Sequence, residues 1–187
     1  MGGILQRFNT YRSCPCDSNE RIISRGRNRI NEIDAPEKQI CTNKLAHAEL
    51  NVLLQIDKNQ EIKPDYTLFT TTEPCVLCFG AIVMSGVRKV RYAAKDPLSG
   101  GAMLNSSENI LIKERRVEII QDDRVLGNIQ RVIRTEYVLR NLDMDRANRV
   151  LQYEKIDYRE AFELGRRWFE NGKLHKARVD GAPNSIL

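Results

Sequence analysis

Tyr66-Thr67-Leu68-Phe69-Thr70-Thr71-Thr72-Glu73-Pro74-Cys75-Val76-Leu77-Cys78-Phe79-Gly80-Ala81-Ile82-Val83-Met84 is the stretch that decides the fold. Its first seven residues are rich in β-branched and aromatic side chains, so they predict a strand. Cys75 follows Pro74 and opens an apolar run that predicts a helix. In such a helix Cys75 and Cys78, three residues apart, fall on nearly one face and can close on one ion. A helix N-terminus also favours negative charge, which helps both thiols become thiolates.

Working outward, His47-Ala48-Glu49 is the second informative piece. Ala46, Leu50, Leu53 and Leu54 recur at helical spacing, which places His47 and Glu49 in the first turn of a helix running to about Asp57. An imidazole and two thiols make a three-ligand zinc set, and catalytic zinc differs from structural zinc in keeping a further position for water. Glu49 adds a carboxylate for acid/base work. Residues two apart in a regular helix point roughly 200° apart, so the spacing alone does not bring His47 and Glu49 to one ion. Each piece has an ordinary reading too. A histidine ahead of an apolar helix is usually structural, a first-turn glutamate is usually a solvated acid, and CxxC also serves redox pairs and structural zinc.

Taken together, H-x-E followed by P-C-x-x-C is the signature of zinc deaminases. With Ser24-Arg25-Gly26-Arg27-Asn28-Arg29, Thr72-Glu73 and Tyr92-Ala93-Ala94-Lys95-Asp96-Pro97 followed by Gly100-Gly101, the stretch from about Asn19 to Leu104 resembles the cytidine deaminase superfamily. Within it, the chain is most similar to bacterial tRNA adenosine deaminases and related nucleoside or base deaminases. The resemblance implies an α/β fold, a three-layer α-β-α sandwich with a mixed central sheet. It implies that His47, Cys75 and Cys78 hold Zn2+, that Glu49 shuttles protons, and that Asn28 and backbone amides near Ala48 and Cys75 meet the substrate. The implied reaction is hydrolytic loss of ammonia from a nucleobase, nucleoside or tRNA adenosine, in a protein whose relatives are commonly homodimers.

Composition sets wider bounds. The 187 residues, 41% hydrophobic and 29% charged, allow one ordinary domain with an appendage. We divide it at Leu142, with 1–142 as the deaminase-like domain, 1–18 atypical within it, and 143–187 as a helical extension. No run approaches the roughly 18 apolar residues of a membrane span. Five cysteines, two of them wanted as thiolates, argue for a reducing compartment, and hence the cytoplasm. A net charge of +5 suits a phosphate-bearing partner, although many proteins without one are equally basic.

The N-terminus fits the resemblance poorly. Pro15 cannot donate to a ladder, and Arg12 and Ser13 interrupt an apolar run, so an incomplete sheet and a weakened fold are expected there. Arg21–Arg25 reads as a short strand ending at Gly26, Val87–Ala93 and Val117–Ile120 read as strands, and the Leu126 to Leu142 stripe has a helical period. Tyr158 to Phe169 predicts one amphipathic helix stopped at Asn171-Gly172, with a second from Lys173 to Val179.

Two rival classes follow from the same residues. A non-catalytic protein with structural zinc needs a fourth protein ligand, for which Cys41, Cys14 and Cys16 are the candidates. An RNA-binding module would use Arg166, Arg167, Lys173, His175, Lys176 and Arg178 interleaved with Trp168 and Phe169, a cluster that also reads as a solvated helix face.

Overall fold

The computed structural model describes residues 12–17, 21–56, 66–121 and 124–174. They form two compact units, one ending at Gly127 and one beginning at Asn128.

In the first unit five strands make one sheet in the spatial order β2-β1-β3-β4-β5. They are β1 (Arg12–Cys16), β2 (Gly26–Arg27), β3 (Thr67–Thr72), β4 (Lys89–Ala94) and β5 (Glu118–Gln121). β1 runs antiparallel to β2 and β3, while β3, β4 and β5 are parallel, so the sheet is mixed as the resemblance implies. Parallel neighbours require a crossover. α2 (Val76–Ser85) supplies the one from β3 to β4; a 3₁₀ turn over Ala102–Ser106 and α3 (Ile110–Arg115) supply the next. α1 (Ala48–Leu53) precedes β3.

Alternation decides which strand residues enter the core. Leu68, Thr70 and Thr72 of β3 and Val90, Tyr92 and Ala94 of β4 are buried, each set at a spacing of two. Leu68 and Val90 pack with Val52 of α1, Phe79, Ile82 and Val83 of α2, and with Val87 and Val117. Each such side chain contributes about 1.5–3 kcal/mol by leaving water. α2 carries no charged residue and ends at Gly86, whose φ of 87° only glycine adopts readily. This packing fixes the start of α2 just beyond the C-terminal end of β3.

The expectation of an incomplete sheet is overturned. β1 is an interior strand, and Pro15 lies fully buried within it. The Pro15 carbonyl accepts from Ile23 N, and in antiparallel pairing a residue's N and C=O point the same way. The missing N–H therefore faces the Ile22–Ile23 side, where pairing shrinks to an isolated Cys16–Ile22 bridge, and the ladder to β3 loses nothing. The strand expected over Arg21–Arg25 is instead that bridge plus the two residues of β2, which include Gly26.

The second unit is helical. α4 (Arg124–Asn141) leads into it, followed by α5 (Met144–Asp157) and α6 (Arg159–Glu170). α5 was not foreseen, because its apolar stripe is thin; Ala147 and Leu151 are buried, but so is Glu154. Val138, Ala147, Leu151 and Phe162 form its core, and Arg134 pairs with Glu154 inside it. A Cβ on Gly165 would lie 2.6 Å from the Val132 carbonyl, so glycine is what lets α6 sit against α4. Arg166 is paired with Glu163 and Glu170, which neutralises part of the expected basic patch. His175, Lys176, Arg178 and most of the expected last helix lie outside the described residues. Among the described residues no helix is long and apolar enough to cross a membrane.

Candidate active site

His47 and Cys75 occupy equivalent places. Each is the residue just before its helix, in extended conformation, with φ/ψ of −74°/158° at His47 and −69°/172° at Cys75. This corrects the expectation that His47 lies within the first turn, and it removes the angular conflict with Glu49, since His47 is off the helical repeat. Cys78 is the third residue of α2 and fully buried. The His47 Nδ1 lies 3.5 Å from Cys75 Sγ and 3.4 Å from Cys78 Sγ. All three ligand atoms fall within 4.8 Å of one another. Among the described residues Cys14, Cys16 and Cys41 are not part of that group.

The electrostatics of the trio follow from its geometry. The Cys75 thiol is lowered to about 4, first by the neighbouring Cys78 side chain; burial opposes this and His47 adds to it. Cys78 is pushed up as the partner that keeps its proton. His47 is raised, chiefly by its hydrogen bond to Cys75. Negative charge thus gathers on sulfur beside a ring nitrogen, an arrangement that a divalent cation answers.

Glu49 stands next to this group. Only 5% exposed, it accepts from Thr70 Oγ1 at 2.8 Å through Oε1 and from the Cys78 thiol at 3.3 Å through Oε2. Burial raises its pKa, while the Thr70 hydroxyl pulls the other way.

The trio opens on a cavity of ≈ 200 Å³ lined by Asn28, His47, Ala48, Glu49, Glu73, Cys75, Asp96 and Ser99. Asn28, whose Oδ1 accepts from Ile30 N at 3.1 Å, reaches it because Gly26 hugs α1. A Cβ on Gly26 would come within 2.6 Å of the Ala48 carbonyl. The chain on both sides of Asn28 is pinned by Asn51 of α1, whose amide donates to the Arg27 and Ile40 carbonyls and accepts from Ile40 N. All six site residues expected from the sequence therefore line this cavity or adjoin it.

Glu73, Asp96 and Ser99 also line it, and the sequence reading assigned them no role. Glu73 and Asp96 stood within the quoted motifs, but nothing in a linear pattern says that the loop after β4 folds back onto the start of α2. It does so through an isolated Cys75–Gly100 bridge and the bonds Val76 N to Ser99 O and Gly101 N to Pro74 O. Parallel β3 and β4 thus deliver both walls beyond their C-terminal ends, the usual place for a ligand in such sheets.

A mixed sheet whose following helix presents two cysteines to a histidine, beside a buried glutamate, defines the cytidine deaminase class of fold. Comparison with known proteins makes this particular: residues 16–135 match the MafB19-like deaminase family, to which the chain belongs. A tRNA-specific adenosine deaminase of Streptococcus pyogenes serotype M18 is 32% identical over 124 residues, 65% of this chain and 72% of that protein. The tRNA-specific adenosine deaminase of Agrobacterium fabrum is 35% identical over 85 residues, 44% of this chain and 50% of that protein. A probable cytosine deaminase of Schizosaccharomyces pombe is 34% identical over 76 residues, 41% of each chain. The chain thus spans about half or less of the length of these last two relatives. Guanine deaminase from Nitrosomonas europaea, 22% identical, shares the fold with a TM-score of 0.51 over 71% of this chain and 78% of its own.

Proposed function

We propose that this protein is a zinc-dependent hydrolase that exchanges the amine of a nucleobase, a nucleoside or a tRNA adenosine for a carbonyl oxygen, releasing ammonia. The observation that carries the reading is the meeting of His47, Cys75 and Cys78 beside the buried Glu49. Tetrahedral zinc with ordinary Zn–N and Zn–S bonds implies N···S edges of about 3.6 Å. The two spacings of 3.4 and 3.5 Å agree, so the residues present fit the ion. Bound there, zinc supplies the Lewis acidity that makes water a nucleophile at neutral pH.

The chain's own groups do the rest. Giving up the Cys78 thiol proton to become a ligand releases Glu49 Oε2 from that hydrogen bond, while Thr70 still holds Oε1. Glu49 then takes a proton from water at Oε2 and hands it to the ring nitrogen as the hydroxide oxygen adds to the neighbouring carbon; it next moves the remaining hydroxyl proton to the amine, whose C–N bond breaks to leave ammonia and a carbonyl. Asn28, whose Oδ1 also takes Ile30 N, brings an amide side chain to a base or sugar edge, and Ala48 presents a helix-start N–H, which has no partner within the helix. A cavity of ≈ 200 Å³ is smaller than the roughly 300–1,000 Å³ of sites for drug-sized ligands and suits a single base entering alone or flipped from a strand.

We place the protein in the cytoplasm as a homodimer, and we take Leu142 as the end of the common deaminase core. Ammonia release from a panel of bases, nucleosides and tRNA, repeated with Glu49→Gln, tests the reading. Deamination undiminished in the variant removes Glu49 from the mechanism. Thiol counting with and without zinc checks the ligand set, because protection of a third cysteine turns the centre into a closed, structural one.

A further inference from the structure

Glu73 lies in the same cavity as Glu49 but is held quite differently. Its Oε2 accepts from Asp96 N and its Oε1 from Ala102 N, both at 3.1 Å, and the residue is only 6% exposed. Its own N–H donates to the Ala94 carbonyl at 2.8 Å. One carboxylate therefore clasps both ends of the loop after β4. Gly100, midway along that loop, is pressed against it; a Cβ there would lie 2.4 Å from the Glu73 carboxyl carbon.

The loop in turn carries one wall of the cavity. Asp96 and Ser99 line it, and the Asp96 carboxylate is drawn into the loop by Leu98 N, Ser99 N and Ser99 Oγ. With both Glu73 oxygens bound to backbone N–H groups, its task is to hold this wall.

We infer that Glu73 is a positioning residue, clasping the 96–102 loop through its two backbone amides so that the loop closes the substrate cavity beside Cys75. The catalytic half of this rests on the deaminase reading above. Glu73→Gln is the informative variant, since it keeps the size of the side chain but turns an NH2 group toward an N–H that needs an acceptor.

The test pairs amide hydrogen exchange with steady-state kinetics on the zinc-loaded full chain. Expected in Glu73→Gln are faster exchange at Asp96 and Ala102 with β3 and β4 amides unchanged, zinc content retained, and KM raised roughly tenfold while kcat stays within about threefold. Unaltered loop exchange overturns the inference, as does faster exchange throughout the protein. A fall in kcat at constant KM, or loss of zinc, also overturns it, by placing Glu73 at the reacting atoms or behind the ligand. Should the unsubstituted protein release no ammonia from any substrate, the deaminase reading falls, and the exchange measurement alone decides whether Glu73 clasps the loop.

Discussion

The helices of the candidate site begin differently from two helices outside it. α3 and α5 start on Asn109 and Asp143, whose side chains accept from Ile112 N and Arg146 N. α1 and α2 start on His47 and Cys75, and neither side chain makes a capping hydrogen bond. α6, which follows directly on α5, also lacks one. A good cap is worth roughly 1 kcal/mol. At α1 and α2 that position is given to an imidazole and a thiol that face each other instead. A cap is given up locally where the three side chains converge, and the apolar packing of Val52, Phe79 and Ile82 holds both helices regardless.

The largest test of this contrast exchanges one role for the other. Cys75→Asn places a capping oxygen at the start of α2 and removes a sulfur from the trio, leaving a neutral amide that is a poor zinc ligand. Deamination is expected to fall to background and zinc to be lost, while the metal-free variant unfolds at a denaturant midpoint no lower than that of the metal-free parent, gaining up to about 1 kcal/mol. A metal-free variant clearly less stable than its parent contradicts the trade.

Glu49→Gln comes next. Rates should drop roughly 10²–10⁴-fold, the usual worth of a positioned acid/base, with zinc retained by elemental analysis. Retention separates the proton carrier from the ligands.

A smaller effect is expected at Gly100→Ala. The added methyl meets the Glu73 carboxylate and the Asp96 carbonyl, so thermal unfolding should report a loss of about 1–3 kcal/mol. Smallest is Asp143→Ala, which removes a cap from the second unit. About 1 kcal/mol of stability should go, with kcat/KM unchanged; a changed kcat/KM breaks the division between capped helices and site helices.

How much of this was legible in the chain depends on the range of the signal. The β-branched run of β3, the apolar run of α2 and the alternation of β4 are local patterns, and each became the expected element within about two residues at either end. The cluster of His47, Cys75 and Cys78 was legible because H-x-E and P-C-x-x-C are short. Pro15 misled, since whether a proline harms a strand depends on which neighbour its missing N–H faces. α5 escaped notice because its buried Glu154 finds Arg134 on another helix, a pairing without a linear signature.

By itself the sequence determined which atoms are available to a metal and that β3, α2 and β4 form where they do, because periodicity and residue chemistry act over a few neighbours. Tertiary structure alone decided that His47 and Cys75 stand just outside their helices and that Glu73 and Ser99 share a cavity with Asn28. Those facts depend on where the packed sheet places the ends of β3 and β4, which no short stretch encodes.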